Sequence, residues 1–157
     1  MKQTNQIATL FREVMLNGKW VAFINWKEAL EDVEWQQAIQ KVEELNTIAA
    51  LTFHINYYIA GVLNVFEGGA LEIRDKYSFD MPPVESAADW EQLRATLLDN
   101  AEKFAAHLDQ LMDDQLDTPF VDEKYGQYRR NMHGMIEHCY YHLGQVVMLK
   151  KLTRSKA

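Results

Sequence analysis

His138 and His142 stand four residues apart in Glu137-His138-Cys139-Tyr140-Tyr141-His142-Leu143-Gly144-Gln145, near the C-terminal end of the chain. On a helix that spacing puts two imidazoles on one face, about one turn apart, where both can grip a single metal ion. Gln145 falls three residues beyond His142 and seven beyond His138, on the same stripe. A histidine pair at this spacing also arises by chance, so the pair alone does not define a site. A third imidazole comes from His54, which sits beside Leu51, Ile55 and Tyr58 in an apolar helical stripe and should face inward. An inward histidine is either hydrogen-bonded core or a ligand, because burying imidazole costs free energy unless its nitrogens find partners. Three neutral imidazoles would leave coordination positions open for water or substrate, the pattern of a catalytic rather than a closed structural site. Zinc, nickel, copper or ferrous iron would all suit such ligands. A metal so held can polarise a carbonyl or lower the pKa of water or a thiol. Tyr58, Glu137, Tyr141 and Gln145 are the neighbours that could orient the rings or wall a pocket.

Four amphipathic helices must position these residues. The first spans about 4–16, with Ile7, Leu10, Phe11, Val14 and Met15 at helical spacing, Thr4 as N-cap and Asn17-Gly18 as the stop. The second, about 46–67, carries Ile48, Leu51, Ile55, Ile59 and Val62 and ends at Gly68-Gly69. The third starts after the Ser86 N-cap and runs over about 87–112 through Trp90, Leu93, Leu97, Phe104 and Leu108. The fourth, about 128–152, bears Met135, Ile136, Cys139, His142, Val146 and Leu149. Together they predict an all-α four-helix bundle in one domain, residues 1–157, with long connections between helices one and two and between helices two and three. The first connection, 18–44, holds Trp20, Trp26 and Trp35 and two short helical pieces, around Trp26–Asp32 and Trp35–Val42. It either roofs a pocket or packs its aromatics over core. The second, 68–86, is a loop marked by Asp80-Met81-Pro82-Pro83.

Composition narrows the classes. The 157 residues are 48% hydrophobic and 25% charged, as in folded globular chains, and the net charge of −7 gives no phosphate-binding surface for nucleic acid. One cysteine, Cys139, permits no intrachain disulfide; it lies about 100° around the helix from His138 and should be buried and inert. The N-terminus lacks a signal-peptide core and no run approaches 18 apolar residues, so a soluble, cytoplasmic protein without a membrane span is expected. His107 reads as surface or as a distant support of the site. The basic residues Lys150, Lys151, Arg154 and Lys156 should complement a helix C-terminus and tail. No glycine-rich phosphate loop, serine or cysteine nucleophile motif or cysteine-pair zinc motif occurs.

The segment from His138 to Gln145 resembles the H-x-x-x-H-x-G-Q signature on the last helix of the DinB-like (DinB/YfiT) superfamily. His54, in Leu51-Thr52-Phe53-His54-Ile55, is similar to that family's first ligand on its second helix. Helix order, length and the loop between helices two and three agree along nearly the whole chain. The resemblance implies an up-down-down-up bundle, a metal site formed by His54, His138 and His142, nickel or zinc as the metal, and a homodimer. Many members carry a further histidine where this chain has Gly134; the neighbouring His133 is displaced by about 100° and takes no role. The resemblance also implies a thiol-dependent S-transferase or isomerase acting on a small molecule with a low-molecular-weight thiol, the metal favouring the thiolate, which is the nucleophilic form. A small hydrolase is the other enzymatic reading. A non-enzymatic metal-binding or dimerisation bundle is the competing one.

Overall fold

A computed structural model describes residues 2–154. Six α-helices appear: α1 (Gln3–Arg12), α2 (Trp26–Glu31), α3 (Trp35–Ala38), α4 (Ile48–Phe66), α5 (Ala87–Gln110) and α6 (Tyr128–Thr153), with no strand among the described residues. α1 packs against α5 and α6, and α4 packs against the same two helices. Their inward stripes meet in one core. Ile48, Leu51, Ile55 and Ile59 of α4 face Leu97, Ala101, Phe104 and Leu108 of α5 and Ile136, Cys139 and Val146 of α6. Phe11 and Phe104 pack tilted at 36° with centroids 4.5 Å apart. Each fully buried side chain of this size contributes about 1.5–3 kcal/mol.

Local signals set the helix ends. Thr47 Oγ1 accepts from the Ala50 N–H at 3.1 Å and Ser86 Oγ from the Asp89 N–H at 3.1 Å, two N-caps that fix the entries of α4 and α5. At the end of α4, Gly68 adopts φ +91°; its N–H reaches the Val65 carbonyl while that of Gly69 reaches Asn64. This paired closure needs a residue that tolerates the left-handed region. The N-cap expected at Thr4 is corrected. Thr4 lies inside α1, buried, and Asp113 caps the helix from across the chain, accepting from the N–H groups of Gln3 and Thr4 at 3.1 and 3.0 Å. A carboxylate 109 residues away satisfies the orphan donors that a local cap would otherwise take. After α1 the chain widens into one π-helical stretch, Glu13–Asn17, before Gly18 leaves it.

The tryptophan-bearing connection is packed structure. Trp26 is fully buried and its Nε1–H donates to the Cys139 carbonyl at 3.0 Å. From the other side Trp90 Nε1–H donates to Val33 O at 2.7 Å, so α2 and α3 are strapped between α5 and α6. Trp20 instead stands 72% exposed. Lys150 and Arg154 reach Asp32 of this strap rather than serving only the end of α6; Lys156 lies outside the described residues.

α4 carries no charged residue over 19 positions and by length and composition could cross a membrane. His54, Asn56 and the tyrosines interrupt the run without lowering its average enough. Half of the helix is buried inside the protein, as in a core helix.

The loop 68–86 is fastened along α4, and that fastening builds one wall of the site. Tyr57 Oη donates to the Arg74 carbonyl at 3.1 Å and accepts from the Arg74 N–H at 2.9 Å. Tyr58 Oη donates to Asp75 Oδ1 at 2.8 Å, and Asn64 holds the Ala70 carbonyl at 2.8 Å. Ile73 seats on Gly61, where a Cβ would come within 2.3 Å of its Cγ1, so α4 keeps a glycine at this contact.

Candidate metal centre

α4 contributes His54 and α6 contributes His138 and His142; one nitrogen from each lies within 4.8 Å of the others. His138 Nε2 is 2.9 Å from His142 Nε2 and 3.2 Å from His54 Nε2. The outer nitrogens of two rings are held. His54 Nδ1 donates to the Ser78 carbonyl at 3.3 Å, and His142 Nδ1 donates to Gln145 Oε1 at 2.6 Å. Because each of these nitrogens faces an acceptor, it carries the proton, and the Nε2 of both rings is left as an inward lone pair. His138 Nε2 can offer one proton at most. At least one of its two short contacts therefore sets lone pair against lone pair.

A cation resolves that conflict. Two nitrogens bound at about 2.0–2.1 Å to one ion stand roughly 2.9–3.4 Å apart in octahedral or tetrahedral geometry. The two measured separations fall in that window. Burial, above all, depresses the proton affinity of all three rings: His138 is pushed down to about 4, helped by His142 and His54 beside it. His54 is lowered by burial and then by His142, against the opposing pull of the Ser78 carbonyl and Asp75. His142 is lowered by burial and partly restored by Gln145. Neutral imidazole is the form that binds metal, so the donor set fits a divalent ion.

Aromatic rings enclose the cluster. Phe79 stacks on His54 with centroids 4.1 Å apart and planes at 11°, and Tyr58 stands edge-on to both His54 and His138 at 5.1 Å. His138 opens onto a cleft of about 600 Å³ bounded by Tyr58, Arg74, Asp75, Tyr125, Arg130 and Gly134. A second cleft of about 580 Å³, with Tyr141, Gln145 and Met148 on its wall, lies on the other flank.

The proposed supports divide. Gln145 orients His142 directly. Tyr58 packs on two of the imidazoles and gives its hydroxyl to Asp75. Tyr141 is 66% exposed and touches His142 edge-on at 4.9 Å, a wall of the second cleft. Glu137 is corrected: it is exposed and makes no hydrogen bond to the three rings, because it lies about 100° around α6 from His138. His107 lies 3.9 Å from Glu67, far along α5 from the cluster, and His133 takes no part in it. Ser78, Phe79 and Asp75 were invisible to helical periodicity, since a loop has none. The inward position of His54 was the one signal that something must meet its outer nitrogen.

Two outcomes follow from these contacts. Replacing Gln145 by Leu should weaken metal binding about 10- to 100-fold, since the ring of His142 loses its fixed tautomer; competition against a chromophoric chelator measures it. Cys139 is fully buried, and burial pushes its thiol far above the ordinary range. Thiol reagents should therefore modify the native chain only at the rate of unfolding, and rapid labelling would contradict its packing.

No curated protein and no solved structure matches this chain. A profile of the DinB superfamily matches residues 16–146, which takes in α2 to α5, all three histidines and most of α6. The loop-fastened His54 and the His138/His142 pair sit where that match runs, and the chain belongs to the DinB superfamily.

Proposed function

We propose that His54, His138 and His142 bind one divalent ion, nickel or zinc, and that the protein is a metal-dependent enzyme, most concretely a thiol-dependent S-transferase. The observation that carries this reading is the convergence of three Nε2 atoms, two of them freed for coordination by bonds on the opposite nitrogen. Bound there, the metal would supply Lewis acidity that favours the thiolate of a low-molecular-weight thiol, or hydroxide from water, near neutral pH. The chain's own residues do the rest. Ser78 and Gln145 fix the ring tautomers, Phe79 and Tyr58 keep bulk water from His54, and the cleft at His138 admits a small-molecule substrate. That open side favours an enzyme over a purely structural metal site. Asp75 Oδ1, already accepting from Tyr58, stands in the cleft as a carboxylate able to take a proton.

The same reading includes an up-down-down-up four-helix bundle made of α1, α4, α5 and α6, and a cytoplasmic protein without nucleic-acid or membrane partners. A homodimer is supported by Tyr141, Met148 and Leu152, exposed apolar residues at helical spacing on α6. Cobalt-loaded protein tests the chemistry. Adding glutathione or 2-mercaptoethanol should produce a near-ultraviolet sulfur-to-cobalt charge-transfer absorption. Its absence, with cobalt bound, would remove the thiol and leave water activation.

A further inference from the structure

The chain has six arginines. Four are engaged by carboxylates: Arg12 with Asp109, Arg94 with Glu91, Arg129 with Asp117 and Arg154 with Asp32. Arg74 and Arg130 have no ion pair among the described residues, and both line the cleft that ends at His138. In a chain of net charge −7 with 23 acidic residues, leaving two guanidinium groups unpaired on one cleft is a selective arrangement. Each is also placed. Tyr57 clamps the Arg74 backbone on both its N–H and its carbonyl, and the Arg130 stem lies over Gly126, whose added Cβ would sit 3.2 Å from Arg130 Cδ. Arg130, Gly134 and His138 follow at i, i+4 and i+8, one stripe of α6 about 12 Å long. Gly134 leaves that stripe bare, with nothing within 4 Å of where its Cβ would be.

We propose that this cleft takes a small molecule bearing a carboxylate, held by Arg74 and Arg130, whose other end lies over Gly134 and reaches the three-imidazole centre. This rests on the metal-dependent reading for the role of that far end, but the anion grip stands on the arginines. A guanidinium fork matches a carboxylate in shape and charge, and Arg is the residue suited to it. Asp75 also lines the cleft, so its charged walls carry two positive groups and one negative. At the arginine end that balance suits one carboxylate group, with a single charge, better than a phosphate group, whose second charge Asp75 would repel. The cleft volume of about 600 Å³ is that of an ordinary small-molecule site.

The test titrates succinate, and separately inorganic phosphate, into the full chain with and without zinc, by calorimetry. The variants are Arg74→Gln, Arg130→Gln, Gly134→Leu and, as a charge control outside the cleft, Lys27→Gln. Zinc uptake and thermal melting are recorded for each. Both arginines are exposed, so their variants should melt as the wild type does. Succinate should bind wild type and Lys27→Gln alike and about 10- to 100-fold more weakly in each arginine variant. Gly134→Leu, which fills the cleft without touching a charge, should lose succinate binding and keep zinc. Equal succinate affinity in all the proteins, no binding to wild type, or tighter binding of phosphate than of succinate would overturn the proposal. A chain that takes up no zinc but still binds succinate through both arginines would instead sink the metal reading and leave this one standing.

Discussion

His138→Ala is expected to lose more than about 100-fold in affinity for nickel or zinc, the largest effect of any single change, because partners of a ligand alone carry 10- to 100-fold. His138 Nε2 is the atom within 3.2 Å of both other Nε2 atoms, so it is the hub of the cluster. The metal-free variant should nevertheless melt no lower than metal-free wild type. Removing this ring ends the lone-pair conflict and leaves His54 on Ser78 and His142 on Gln145, both bonds intact. The check is a pair of melts, with metal and with chelator. Wild type should gain stability from metal by mass action and the variant should not. Equal gains in the two proteins would place the ion elsewhere.

The second large effect is on pH. All three imidazoles have folded-state proton affinities below the unfolded value near 6.5, with His138 lowest, at about 4. As pH falls below about 6.5 the unfolded chain takes up protons that the folded chain refuses, so unfolding becomes easier. The metal-free protein should hold its full histidine-linked stability above about pH 6.5 and lose it progressively toward about pH 4. Metal binding responds with the opposite emphasis. Protons compete poorly at rings whose affinity for them is depressed, so metal should stay bound at pH values where ordinary histidines have begun to protonate. Denaturant melts of metal-free wild type and His138→Ala across this range measure the first claim. Wild type should show the steeper loss, and parallel slopes would show that the cluster does not titrate as described.

Much of this site was legible because helices carry direction in their spacing. The i, i+4 pair on α6 and the inward stripe on α4 placed His138, His142 and His54 on faces that had to meet, and Gln145 fell on the same stripe. The helix ends at Thr47, Gly68 and Ser86 were readable for the same local reason: one side chain or one left-handed residue closes a few backbone groups. What stayed hidden was non-local. Asp113 caps α1 from a distant turn, which no window around Thr4 could contain. Ser78 and Phe79 reach His54 only because Tyr57, Tyr58 and Asn64 fasten the loop to α4, and a loop's path has no period to read. Glu137 was misplaced by adjacency in sequence, since one residue along a helix is a turn of about 100° away. The empty wall at Gly134 and the unpaired Arg74 and Arg130 had meaning only once the cleft joined them to His138.

Metal content decides whether the three histidines form one centre. Untagged wild type and His54→Ala, purified side by side, would be analysed by inductively coupled plasma mass spectrometry. Close to one nickel or zinc per chain in wild type, lost in the variant, is the expected result. Metal retained without His54 would contradict a centre built from both α4 and α6, and a wild type that neither carries metal nor takes it up would leave three converging imidazoles without an ion to explain them.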